Sequence, residues 1–213
     1  RERGDVYAST HLRSSIAAFV QLCRADPRAA RAEARAAIGA WPHRGTHMPH
    51  FFDVLAQAQI DLYEGAPGAA HARVTRTFAT LRRAMLLRVQ FVRIKMLELR
   101  ARTALSRAIA EPERARVLLR GFEEDVAALA RERAPWADAL ADLLCAARAD
   151  AYGDGEIARR AFGEVSVTLE RTGMELHAAV ARFRAEPSGA EAWFAREAVA
   201  DPAALVAMLS PTR

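Results

Sequence analysis

The chain reads as all-α: an α-solenoid of antiparallel helix hairpins with long helices, about ten or eleven of them. Three observations predict this. Turn segments recur at Asp26-Pro27, Gly65-Ala66-Pro67-Gly68, Glu111-Pro112 and Gly153-Asp154-Gly155. An alanine follows each turn, at Ala30, Ala70, Ala115 and Ala158, and these alanines are 40, 45 and 43 residues apart. A period of roughly 34 to 47 residues holding two helices marks a helical-repeat array. Finally, no stretch alternates apolar and polar residues with β-branched side chains, so strands are not expected. The whole of 1–213 reads as a single domain.

The first hairpin has arms near 7–24 and 27–40. Asp26-Pro27 starts the second arm, because an Asp cap accepts free backbone amides and Pro at the first position lacks one. That arm is nearly all Ala, Arg and Glu, and it stops at Trp41-Pro42. The next helix covers 49–64, with Phe51, Leu55, Ala58 and Leu62 at helical spacing as its buried stripe. Its partner runs over 69–81. A helix over 85–108 carries two apolar faces. Leu86, Leu87, Ile94, Leu97, Ala101, Ala104 and Leu105 form one; Val89, Val92, Met96 and Leu99 form the other. Buried on two sides, it is the spine of the array.

Pro112 opens the following helix, with Ala115, Leu118, Leu119, Phe122, Val126 and Leu129 facing inward. Trp136, Leu140, Leu143, Leu144, Ala147 and Ala151 give a single amphipathic stripe. A helix over 156–171 follows the Gly153 turn, then helical period returns at 174–183 and 190–199. Asp201-Pro202 repeats the cap-and-proline device before a last short helix at 203–209. The segment 200–213 is expected to be a terminal cap on the stack. Small residues after each turn let paired helices approach closely. Ala58, Asp61-Leu62-Tyr63 and Gly65 match Ala147, Asp150-Ala151-Tyr152 and Gly153, a pattern like that of tetratricopeptide repeats, with longer helices.

Of 31 basic residues only Lys95 is lysine, and the formal charge is +5 with acidic residues interleaved throughout. That describes a solvated mixed-charge surface; a nucleic-acid partner, which needs the charge gathered on one face, is not expected. Cys23 and Cys145 read as small buried hydrophobes in a reducing cytoplasm. No apolar run reaches the roughly 18 residues of a membrane span. The chain begins at Arg1 inside a helical pattern, as a piece of a longer protein would.

Chemistry-bearing constellations are sparse. His43, His47 and His50 form one cluster, but Pro42, Gly45 and Pro49 break any helix that would align them, and no Cys or carboxylate completes a metal shell. Glu123-Glu124-Asp125 diverge around a helix. There is no glycine-rich phosphate loop, no strand lysine and no His-Arg-Asp or Asp-Phe-Gly sequence, so neither an NTPase nor a kinase core lies here. No catalytic residue, metal or cofactor is assigned. The binding candidates are two basic stripes on the spine helix: Arg93, Arg100 and Arg107, and Arg88, Lys95 and Arg102. They either grip an oxyanion or pair with Glu98 and residues 123–125. A second candidate is an effector site near Trp41, Phe51, Phe52 and Tyr63.

Several stretches carry a family resemblance. They are Gly4-Asp5-Val6-Tyr7-Ala8 with Leu12-Arg13; Trp41, Arg44-Gly45, His47 and His50-Phe51-Phe52-Asp53; and Ala56-Gln57-Ala58-Gln59-Ile60-Asp61-Leu62-Tyr63. Leu86-Leu87-Arg88-Val89-Gln90-Phe91-Val92-Arg93-Ile94, Leu99-Arg100-Ala101-Arg102, Pro135-Trp136-Ala137, Asp201-Pro202 and Met208-Leu209 complete the set. Together they resemble the C-terminal helical-repeat region of large serine/threonine protein kinases from myxobacteria, where a kinase domain precedes an ATPase-like module and tetratricopeptide-like repeats. These are packing motifs, so no functional residue is carried across. The resemblance implies a cytoplasmic, non-catalytic regulatory module that docks a protein partner or its own kinase and ATPase modules. A small-molecule sensor of a signalling ATPase or transcription regulator is the alternative.

Overall fold

The structure, a computed structural model, describes residues 5–41 and 44–213. Among the described residues there are eleven helices and no strand. Helix α1 spans 6–23 and carries a π-helical turn over Arg13–Ala17. The others are α2 (Pro27–Gly39), α3 (Met48–Tyr63), α4 (Pro67–Arg83), α5 (Gln90–Ala110) and α6 (Ala115–Ala130). They continue with α7 (Pro135–Tyr152), α8 (Gly155–Arg171), α9 (Glu175–Ala185), α10 (Glu191–Arg196) and α11 (Pro202–Leu209).

The helix ends follow from local chemistry. Asp26, Asp154 and Asp201 accept the first free amides of α2, α8 and α11, from Ala29, Glu156 and Ala204, at 2.8, 2.8 and 2.9 Å. At the other ends, Gly65 and Gly173 turn left-handed (φ 73° and 74°). The next amide then reaches back to the last turn: Ala66 N–H to Asp61 O, and Met174 N–H to Leu169 O. Two helices close the same way on alanine. Ala25 (φ 58°) follows α1 and Ala198 (φ 52°) follows α10, with Asp26 N–H on Gln21 O and Val199 N–H on Phe194 O. A Cβ in this conformation is strained, so Ala25→Gly and Ala198→Gly should each stabilise the fold by about 0.5–1 kcal/mol. Thermal unfolding is the check; an unchanged or lower midpoint would show that the strain is absent.

Successive helices pack on one another in chain order, as a solenoid-like array requires. The first arms, α1, α3, α5 and α7, also touch along the array. No comparable contact joins the second arms, α2, α4, α6 and α8, so the array curves toward the layer of first arms. Ala30, Ala70 and Ala158 are completely buried where paired helices approach, while Ala115 is half-buried. The helix α3 is enclosed on most sides rather than along one stripe: Phe52, Val54, Ala56 and Ile60 are as buried as Phe51 and Ala58. Its Asp61 joins three helices, accepting from Arg31 of α2 and Arg73 of α4, each at 2.8 Å. Asp61→Ala would leave both guanidinium groups without that carboxylate. It should cost about 2 kcal/mol, read from the denaturant midpoint at unchanged slope.

The spine helix divides its two apolar faces between two cores. Val92, Met96 and Leu99 enter the one built by α1–α4 and α9–α11; Ile94, Leu97, Ala101, Ala104 and Leu105 enter that of α6–α9. One expectation is corrected. The helix expected over 85–108 starts only at Gln90, because Met85 turns left-handed (φ 60°) and Leu86–Arg88 forms a separate 3-10 turn. Arg93 fixes that turn by donating to Leu87 O at 2.8 Å. As a result Val89 stays exposed, and the second face begins at Val92.

The segment 200–213 folds back onto the layer of first arms. Helix α11 lies against α1, α3 and α9, and Leu205, Val206, Met208 and Leu209 are buried among Phe51, Ile60, Val92 and Met96. Ala200 N–H donates to Cys23 O at 2.8 Å, joining the last part of the chain to the first hairpin. The physical reason is the composition of the helix, PAALVAML, which has no polar side to present to solvent.

Candidate functional site

The inner layer and its α11 passenger bring together the chain's densest buried polar chemistry, at the middle of α5. Lys95, Glu98 and Arg102 lie three and four residues apart, on neighbouring turns of one face. Lys95 Nζ lies 3.7 Å from Glu98 Oε2, and Arg102 Nε lies 3.0 Å from Glu98 Oε1. The side chains of Glu98 and Arg102 are 4% and 1% exposed, so water does little to screen them. Across from them His177 of α9 faces the same three charges. Arg102 Nη1 donates to Met208 O at 3.2 Å, and Arg184 of α9 donates twice to Ser210 O, at 3.1 and 2.6 Å. Two guanidinium groups thus hold the C-terminal carbonyls of α11, where the helix dipole is negative.

Burial acts on every group here. It works against the charge of Glu98, but Arg102 and Lys95 outweigh it and hold the carboxyl below its usual range. Burial first, then the Arg102 charge, pulls the Lys95 ammonium down against Glu98. Burial, with Lys95 and then Arg102 adding to it, pushes the His177 imidazole down to about 3, so it is neutral at ordinary pH. Two cations, Lys95 and Arg102, meet the carboxylate of Glu98, while Arg184 is turned to Ser210 O and lies near the charge of Asp150. Glu98 Oε2, Arg102 Nη2, Ser210 Oγ and Tyr63 Oη are buried without a hydrogen-bond partner.

The other basic stripe is committed to carboxylates. Arg93 forks onto Glu132, Arg100 onto Asp125 of α6, and Arg107 Nε onto Glu111 at 3.0 Å. Arg100 also lies 3.8 Å over the Phe78 ring of α4. Arg88 alone of the six stands exposed. A cavity of about 260 Å³ beside Arg100 is lined by His71, Thr75, Val117, Glu124 and Asp125. Its Asp125 is tied to Arg100, and burial lowers the His71 pKa. The hollow offers no serine or cysteine.

The four aromatic candidates do not gather in one place. Phe51 and Phe52 are buried parts of the first core, and Phe52 stacks on His11 at 4.0 Å. Trp41 continues the chain of rings through Tyr7, at 6.1 Å. Tyr63 lies twelve residues beyond Phe51 on α3, about 18 Å along the helix, near Asp201 and the start of α11. Among the histidines, His47 N–H donates to His50 Nδ1 at 3.1 Å, while His43 lies outside the described residues. No group of three or more metal-ligating side chains forms among the described residues. Burial raises both cysteine thiols; Cys23 is half-buried and Cys145 exposed. No helix among the described residues is long and apolar enough to cross a membrane.

Glu98 and its two cations were readable from their spacing. The parts contributed by His177, Arg184 and the α11 carbonyls carry no local signal, since only tertiary folding brings them to α5. No protein-family model matches the chain, and neither does any curated protein or solved structure. The fold and this site define a class: a solenoid-like array of helix hairpins whose inner layer holds an additional apolar helix.

Proposed function

We propose that this chain is a non-catalytic interaction module that docks a helix of a protein partner, or of its own protein's catalytic modules, on the layer of first arms. One observation carries the reading. That layer already accommodates an apolar helix, α11, with side chains of α1, α3, α5 and α9 around it and arginines on its terminal carbonyls. Helix-in-groove recognition needs this combination of apolar seat and end-on polar register. The resemblance to myxobacterial kinase tails extends the reading, making the module the regulatory part of a serine/threonine kinase.

Screening a library of helical peptides against the chain tests the docking role. Enrichment of short apolar helices that protect amides of α3 and α5 from exchange is expected. A chain that binds no peptide, yet is stabilised by small metabolites alone, would refute it. Sequencing the reading frame upstream of Arg1 tests the kinase extension; a frame lacking His-Arg-Asp and Asp-Phe-Gly would remove it.

A further inference from the structure

We infer that α11 is an intramolecular occupant of the docking seat, a segment that keeps the inner layer closed until a partner's apolar helix displaces it. The inference rests on the preceding reading that this layer is where partners dock.

The connection to α11 is built for release. Residues 195–198 and 200 are exposed, and Ala198 is the left-handed joint that ends α10. Beyond its bonds to the adjoining α10 and α11, the segment 197–201 has one described backbone bond, Ala200 N–H to Cys23 O. The helix itself is only eight residues long, below the length that holds helical structure without its seat. What keeps it in place is the apolar seat and the two arginines at its C-terminal end.

The fit is also incomplete in a directed way. At the start of α11 the Tyr63 hydroxyl is buried without a partner; at its end so are Arg102 Nη2, Glu98 Oε2 and the helix's own neighbour Ser210 Oγ. Buried donors and acceptors left open at both ends of a seat favour an occupant that satisfies them. The seat's end carries Lys95, Glu98 and Arg102 with Arg184 beside α11, and α11 answers the two guanidinium groups only with carbonyl oxygens. The displacing partner is therefore an apolar helix whose last turn places an acceptor, best a carboxylate, on these guanidinium groups.

The test uses the full chain and a labelled peptide of residues 200–213. Leu205→Ala weakens the resident helix without touching the seat; Asp201→Ala, which removes the cap on Ala204 N–H, does so more gently. A weakened resident raises the fraction of open seat, so the peptide should bind Leu205→Ala at least ten-fold more tightly than the parent chain, and Asp201→Ala several-fold more tightly. Hydrogen exchange of 205–210 should run ahead of α3 and α5 in the parent and accelerate further in both variants. If 205–210 exchange only together with α3 and α5, and the peptide binds no variant, α11 is a fixed core element and the inference fails. Library peptides that bind the layer of first arms beside a fixed α11 and protect α3 and α5 would then leave the docking function standing. A seat shown open by exchange that still binds no peptide would overturn both.

Discussion

Replacing Glu98 with alanine should lower the unfolding free energy by roughly 3–5 kcal/mol, which for a chain of this size moves the thermal midpoint down by about 10 °C. Glu98 is the carboxylate that pairs with both Lys95 and Arg102; Glu98 and Arg102 are shielded from water, and Lys95 is mostly so. Removing it leaves two like charges facing each other in the interior, which costs more than the pair contributed while intact. The companion experiment separates charge from space: Lys95→Met, Glu98→Leu and Arg102→Met together should recover most of the loss, since a well-packed apolar set substitutes for a buried ion cluster. Calorimetry on the single and triple variants decides. A Glu98→Ala protein within 1 kcal/mol of the parent would show that the cluster is hydrated and not an interior feature.

Acid should destabilise the protein well before its surface carboxylates titrate. In the folded chain His177 takes a proton only near pH 3, against 6.5 when freely solvated. Between those values unfolding takes up one proton, so stability is full above about pH 6.5 and declines as the pH falls, by about 1.4 kcal/mol per unit. By pH 4 the loss is of order 3 kcal/mol. Glu98 acts later, because its folded carboxyl titrates below the ordinary range and withdraws stability only under about pH 4.5. His177→Gln should therefore reduce the pH dependence between 6.5 and 4.5, leaving the contribution of His71, whose pKa burial also lowers, and the lower limb intact. Chemical denaturation at half-unit pH steps is the measurement, and a variant that keeps the parent slope would place the titrating group elsewhere.

Particular residues show where the one-dimensional pattern carried three-dimensional information. The faces of the spine helix were legible because burial on two sides writes two apolar periods into one segment; Met96 and Leu97, adjacent in sequence, enter different cores. The turns were legible wherever Gly, Pro or Asp supplied the backbone chemistry, as at Gly65, Asp26 and Asp154. Met85 was not, since a left-handed methionine leaves no mark in composition, and the spine helix was consequently read as starting five residues early. The π-helical turn in α1 likewise has no residue signature in Arg13–Ala17. Of the candidate site, the ion pairs within one helix followed from spacing. Arg184 on Ser210 O and Arg102 on Met208 O join elements 26 and 106 residues apart, which no local window contains. The aromatic candidates could not be resolved for a related reason: Phe51 and Phe52 are large apolar residues, and core and ligand pocket place the same demand on them.

The hydrogen bond from Ala200 to Cys23, with α11 lying across α1 and α3, has a consequence for how the molecule comes apart. An open array of repeats has two free ends, and its stability is a sum of neighbour terms, so it frays and can melt piecemeal. Here the two ends of the array are tied through a common helix. Among the described residues, the first hairpin and α9 share α11 as a neighbour. The expected behaviour is all-or-none, with slow folding set by the contacts between residues far apart in the chain. Removing α11 from its seat would return the molecule to the linear case.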